Sequence, residues 1–262
     1  MSYLVICGAA LLVSGLTLFS GFGLGTLLMP VLALFFPVEM AVAATAVVHG
    51  ANNVFKAALV GKLADKALVL KFGLPAAIAA FGGAGALVHV AHFGEIASYS
   101  LGTRTAVVTP VKLIMALLML VFALFELLPS LRQLRLSSRH LFLGGLLSGF
   151  FGGFSGHQGA LRSAFLAKVG ISSPAFVGTS AVIGLMVDAA RIAIYGTSFY
   201  HAGLAAPFSP EQWRLVTAAS VAAFVGVLLG KRFLHKVTMA AIQRLTGILL
   251  LGIAVALGAG LL

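Results

Sequence analysis

Two stretches of this chain repeat one pattern: a glycine-punctuated break in an apolar run, a short apolar segment, and a helix with polar residues along one face. The first copy is Gly21-Phe-Gly-Leu-Gly25, followed by His49, Asn52, Asn53 and Lys56. The second is Gly152-Gly-Phe-Ser-Gly-His-Gln-Gly159, followed by Ser180, Asp188 and Arg191. An offset of about 135 residues brings Gly21 onto Gly156, Thr45 onto Ser180, Asn53 onto Asp188, Lys56 onto Arg191 and Gly61 onto Gly196. A chain built this way has two related halves, each with an interrupted segment at the same place.

The solvent for those halves is lipid. Hydrophobic residues make up 61% of the chain and charged residues 9%, with a mean hydropathy of +1.12. Soluble domains carry about 25% charged residues. Several apolar runs reach the ~20 residues needed to cross the hydrocarbon core. The reading is an all-α polytopic membrane protein with little mass outside the bilayer. Met1-Ser-Tyr lacks the positive region of a cleaved signal. Leu4-Val-Ile-Cys7 has a bulky Ile6 where a lipoprotein box wants a small residue, so residues 4–20 read as a mature helix. With one cysteine there is no internal disulfide framework.

A net charge of +11 would suggest nucleic acid in a soluble chain. Here it follows topology, and no nucleic-acid partner is expected. Lys62, Lys66 and Lys71, then Arg132, Arg135 and Arg139, then Lys231, Arg232, Lys236 and Arg244 form three basic clusters at loops. Cytoplasmic loops attract such an excess.

Glycine, proline and charge divide the chain into ten apolar elements, at about 4–20, 24–36, 40–60, 68–92, 105–128, 141–155, 161–170, 174–195, 213–233 and 240–261. The second and seventh are too short to span at ~1.5 Å per residue, and read as half-helices or arms of re-entrant hairpins. Placing the basic loops inside puts 93–104, 197–212 and both termini outside. Two five-element halves joined in tandem are then inverted relative to each other. The boundaries expected are 1–128 for the first membrane repeat, 129–140 for a cytoplasmic linker and 141–262 for the second repeat. Gly226 with Gly230, and Gly149 with Gly153, have the four-residue spacing that permits close helix packing.

His49, Asn52, Asn53 and Lys56 fall at i, i+3, i+4 and i+7, one helical face, which Thr45 extends. Ser180, Gly184, Asp188, Arg191 and Tyr195 form the matching stripe in the second half. Polar side chains inside a membrane face a cavity or a partner helix, so the two stripes should look at one another. The breaks complete a candidate site. A helix that starts at midplane presents free backbone N–H groups and a positive dipole end, which suits an anion. Gly21, Gly23 and Gly25, and Gly156 and Gly159, let backbone approach a ligand closely. Gln158 and Ser163 add neutral hydrogen bonds. Arg162, in the first turn after the second break, offers a guanidinium fork that matches a sulfonate, sulfite or carboxylate. Interrupted segments in corresponding halves are where transporters bind their substrates.

Several residues keep two readings. Lys56 either contacts ligand or snorkels to the cytoplasmic surface. Asp188 either pairs with Arg191 three residues on or carries a coupling proton. His49 and His157 either touch substrate or bond between helices. Lys112, Arg104, Lys168, Arg214 and Glu126 read as interfacial, and the remaining histidines are too dispersed for a metal cluster.

These motifs resemble the sulfite exporter TauE/SafE family of bacterial membrane permeases. The residues that carry the resemblance are Ser155-Gly-His-Gln-Gly-Ala-Leu-Arg-Ser-Ala-Phe-Leu166, Phe176-Val-Gly-Thr-Ser180 and Asp188-Ala-Ala-Arg191. In the first half they are Gly21-Phe-Gly-Leu-Gly25 with Pro30, and Ala41-Val-Ala-Ala-Thr45. The resemblance covers nearly the whole chain. His157 and Gln158 stand where the family's motif has further glycines, which implies a site lined more by side chains. The family implies a multi-pass protein of the bacterial inner membrane that moves sulfite, sulfoacetate or related organosulfonates, without a cofactor or metal. It is then no enzyme, and its partners are a small anion and the lipid bilayer. A homodimer is compatible with this reading, although no interface is legible.

The mechanism expected is secondary export by alternating access. No phosphate-binding Gly-x4-Gly-Lys-Ser/Thr loop is present. Expelling a monoanion from a negative cytoplasm is favoured by about 2.3 kcal/mol per 100 mV, so uniport suffices. Two alternatives share the same residues. One is a passive anion channel. The other is a membrane-embedded enzyme using His157 with Ser155 or Ser163, for which no orienting carboxylate is evident.

Overall fold

The structure is a computed structural model that describes residues 1–20, 24–102, 104–132, 138–166, 169–201, 208–233 and 239–262. Among the described residues, ten helices of nine residues or more follow in chain order. The first half holds α1 (Ser2–Ser20), α2 (Leu24–Ala33), α3 (Val38–Val60), α4 (Lys66–Ala91) and α5 (Pro110–Leu127). The second holds α6 (Leu141–Ser155), α7 (Gln158–Leu166), α8 (Ser173–His201), α9 (Pro210–Phe233) and α10 (Met239–Gly258). All ten elements expected from the sequence are present, and the second and seventh are the short ones. Among the described residues, four helical stretches are long and apolar enough to cross a membrane: Lys66–Ala91, Pro110–Leu127, Ser173–Ser198 and Pro210–Gly230. Their outward positions are aliphatic and exposed, as lipid contact requires: Leu117 is 61% exposed, Ile78 61% and Val221 54%.

Helix ends follow local chemistry. Asp65 caps α4, its Oδ1 accepting from the Leu68 amide at 3.0 Å. A π-helical turn, Val69–Gly73, then widens that helix before it continues as Leu74–Ala91. The expected start of the fifth element at 105 is corrected to Pro110. Thr109 accepts from the Lys112 amide at 3.3 Å and Pro110 occupies the first turn, so cap and proline together set the boundary. The residues before it form a hairpin instead: Ala97–Leu101 (β1) pairs antiparallel with Arg104–Val108 (β2), with Ser98 opposite Val107. The Val107 amide donates to the Gly260 carbonyl at 3.0 Å, tying this hairpin to the chain end. The seventh element begins at Gln158 rather than 161, because the left-handed Gly156 ends α6 and the chain re-enters a helix at once.

The helices pair in a regular way. The first helix of each half packs on the fourth of the other, α1 on α9 and α6 on α4; the third helices pair with each other, and so do the fifth. Glycines show the direction of each pair. Gly145, Gly149 and Gly153 of α6 lie on Phe72, Ala76 and Ala80 of α4, and Gly226 and Gly230 of α9 lie on Leu11 and Gly15 of α1. Both of these pairs therefore run parallel. Gly50 faces Asp188 and Ile192 while Gly61 faces Val182, so α3 and α8 run antiparallel. So do α5 and α10, where Gly247 meets Leu127 and Gly258 meets Ala116.

The four-residue glycine spacings thus mark backbone-to-backbone packing. A methyl at Gly149 would sit 1.9 Å from the Ala76 carbonyl oxygen, and backbone cannot yield as a side-chain tip can. Gly149→Ala is expected to lower stability by about 1–3 kcal/mol or more, read as the thermal unfolding midpoint in detergent. Gly82→Ala, with nothing within 4 Å, should match wild type. Equal midpoints for the two variants would show that this packing is loose.

Candidate functional site

The second break is built from the residues around Gly156. That glycine has φ 80°, closes α6 through its amide to the Gly152 carbonyl at 3.0 Å, and turns the chain inside the protein. Ser148 Oγ donates to the Gln158 carbonyl at 2.9 Å and so fastens the start of α7 to α6. Gly152 leaves room for Gln158, whose Cβ would lie 2.7 Å from an added methyl. The start of α2 meets this break. Gly25, in the first turn of α2, lies against the Gly156 carbonyl, 2.9 Å from where a side chain would begin, with the His49 ring next to it. Gly21 and Gly23 lie outside the described residues.

Asp188 organises the polar residues. It is fully buried on α8. Its Oδ1 accepts from Arg191 Nε at 3.0 Å, Arg191 Nη2 at 2.8 Å and Gln158 Nε2 at 3.3 Å. Its Oδ2 accepts from Asn53 Nδ2 at 2.8 Å and lies 2.7 Å from His49 Nδ1. The carboxylate therefore joins α3, α7 and α8, and its hydrogen-bonding capacity is taken up. Gln158 Oε1 accepts from Arg162 Nη1 at 3.2 Å, which brings the α7 guanidinium into the same network. Asn53 and Asp188, matched by the 135-residue offset, touch directly where α3 and α8 cross. Gly184 makes this possible, since any side chain there would collide with the Asn53 amide.

His49, Asn53, Gln158, Arg162, Asp188 and Arg191 are thus brought together, and the two polar stripes do face each other. Asn52 is not in this group. It lies 100° round the helix from Asn53, and its Oδ1 accepts from Ser14 Oγ of α1 at 2.9 Å. His157 sits flat on Phe122 of α5, with ring centroids 5.0 Å apart and planes at 7°. Gly159 is buried in the first turn of α7, and Ser163 is half-buried one turn later. Thr45 bonds back to the Ala41 carbonyl at 2.7 Å. Lys56 does not snorkel: it is 7% exposed, and its charge and that of Arg162 repel each other. Glu126, expected at an interface, is buried on α5 at 3% exposure. Sequence reading missed Ser14 and Ser148. Each is a hydroxyl in a largely apolar helix, where the residue type alone signals only a back-bond to its own turn.

Charge and unmet donors define what the arrangement can do. Of the six acidic residues, only Asp188 and Glu126 are buried, against three buried basic side chains among the described residues, Lys56, Arg162 and Arg191. The formal charge of these five buried groups is +1. Around the break, Arg191 Nη1, His157 Nε2 and the Ser163 hydroxyl have no partner among the described residues, and Arg191 Nη1 would lie 3.1 Å from a methyl on Gly156. Burying such groups unpaired costs about 1–3 kcal/mol each. His157 Nδ1 lies 2.9 Å from the Ser155 carbonyl, an acceptor only, so Nδ1 donates and a neutral His157 presents Nε2 as an acceptor. A serine nucleophile is poorly served. Ser155 Oγ lies 3.1 Å from His157 Nδ1 but donates to the Phe151 carbonyl at 3.0 Å, and His157 has no carboxylate partner among the described residues.

The family model described as Sulfite exporter TauE/SafE matches residues 6–257, nearly the whole chain. No curated protein and no solved structure matches it.

Proposed function

The chain belongs to the sulfite exporter TauE/SafE family of membrane transporters, and on that premise we propose that it exports a small sulfur-containing anion through the site where α2 meets the second break. The observation that carries this reading is the excess of buried cations beside a carboxylate whose oxygens are already taken. An uncompensated buried positive charge is costly in lipid, and an anion at the break would offset it. Arg162 and Arg191 supply guanidinium donors, and the α7 N-terminus adds backbone N–H groups. The acceptor at His157 Nε2 suits a ligand that brings its own proton. Hydrogen sulfite does so, whereas a fully ionised oxyanion offers only lone pairs.

Alternating access is the mechanism this geometry supports best. A two-fold operation that carries α3 onto α8 must also reverse it, because the two run antiparallel. The same holds for α5 and α10. Such an axis lies across the helices, in the plane of the membrane, and relates residues 1–128 to 141–262 as inverted repeats. The site sits at their crossing, so rocking one repeat against the other would expose it to each side in turn. Uniport is sufficient for export, and in this reading Asp188 is a structural counter-charge rather than a proton carrier. The family supports an inner bacterial membrane, and the basic loops support both termini outside.

The test is thermal stabilisation of the purified protein against sulfite, thiosulfate, sulfonates and carboxylates. A ligand at 100 times its Kd raises the stability of the folded state by about 2.7 kcal/mol. Sulfite should shift the midpoint most, fully ionised organosulfonates less and sulfate least; a panel without any shift would refute the proposed substrate class. Currents far above transporter rates in a planar bilayer would favour the channel alternative.

A further inference from the structure

We propose that the groove between α4 and α6 binds one anionic phospholipid. This groove has a volume of about 500 Å³, opens on the lipid-facing surface and shares no lining residue with the Asp188 network. Its wall on α4 is Leu70, Leu74 and Ile78, at i, i+4 and i+8 on one face, and they are 64%, 49% and 61% exposed. Phe142 of α6 forms the other side. Because α4 and α6 run parallel, the trough follows both helices and extends about 12 Å from Leu70 to Ile78 at ~1.5 Å per residue, enough for the upper part of an acyl chain.

Its mouth is basic. Lys71 and Arg139 line the same groove, both exposed, one in the opening turns of α4 and the other just before α6. The parallel packing also places the N-termini of both helices at this end, so their partial positive charges add to the two side chains. Lys71 belongs to the π-helical turn Val69–Gly73, a feature that recurs at functional positions. Cations over an aliphatic trough between membrane helices match a phosphate headgroup with its chain below. A zwitterionic lipid would bring a positive group to the same mouth, so the charge complementarity selects the anionic class.

The test is tryptophan quenching in the full-length protein reconstituted into bilayers. Phe142→Trp places the reporter in the groove, and Trp213→Phe removes the native tryptophan. Brominated phosphatidylglycerol is compared with brominated phosphatidylcholine. The proposal expects about a tenfold preference for the anionic lipid, each basic residue near the headgroup contributing several-fold. It expects Lys71→Gln with Arg139→Gln to reduce that preference to near unity. Equal quenching by both lipids in the protein with Lys71 and Arg139 intact would overturn it, whatever the fate of the double variant. Loss of the preference on adding soluble glycerol phosphate would also overturn it, since the groove would then hold free phosphate rather than lipid. None of these readouts involves transport, so they stand or fall apart from the function proposed above.

Discussion

Asp188→Ala is expected to destabilise the protein by about 3–5 kcal/mol, the cost of leaving a buried charge without its partner. The charge in question is Arg191, which is fully buried and gives Nε and Nη2 to the Asp188 carboxylate at 3.0 and 2.8 Å. The same substitution removes the acceptor for Asn53 and Gln158 and the partner of His49, so three helices lose their common anchor. Asp188→Asn keeps one acceptor oxygen and should fall between alanine and wild type. The double change Asp188→Leu with Arg191→Met removes both charges and should recover much of the lost stability. It should not recover transport, because the guanidinium at the break is gone. Unfolding in detergent, followed by loss of helical signal, decides the matter. A midpoint for Asp188→Ala equivalent to within about 1 kcal/mol of wild type would show that Arg191 draws its compensation from elsewhere.

The second large effect is on flux. Arg162→Gln is expected to slow sulfite movement into or out of proteoliposomes by about 100-fold, the loss of one or two charge-assisted hydrogen bonds of ~1.5–3 kcal/mol each. Arg162→Lys should rescue little, since a point charge on a flexible stem cannot reproduce the planar fork. Stability should not follow. Arg162 gains from its bond to Gln158 and from the Asp188 charge but is opposed by Lys56 and by its own burial, so neutralising it should move the unfolding midpoint little. That divergence separates a substrate contact from a packing role. A wild-type rate in Arg162→Gln would remove this residue from the anion's path.

The first prediction rests on residues whose helical faces are legible in the sequence. His49 and Asn53 are four apart, Asp188 and Arg191 three apart, and the 135-residue offset pairs Asn53 with Asp188. These spacings put polar groups on one side of α3 and one side of α8. In lipid such sides seek each other, because nothing else there will solvate them. The glycine spacings were equally legible, since Gly149, Gly153, Gly226 and Gly230 do lie on backbone. Less visible was the depth at which a charge would sit. Lys56 lies near a helix end and Glu126 near a proline, both positions that suggest an interface. Burial there depends on neighbours that local spacing does not reveal.

Sequence alone determined that the chain is a membrane protein of ten apolar elements, two of them short, and which side of each central helix is polar. Those properties depend on residue type and on an angle about one helix axis, and both are local. Tertiary packing decided that Asp188 would bind four side chains at once, that Asn52 would turn to Ser14, and that residues 97–108 would pair as a hairpin against Gly260. A helical period states which way a side chain points, whereas only the assembled neighbours supply the partner, the dielectric and the distance that turn direction into chemistry.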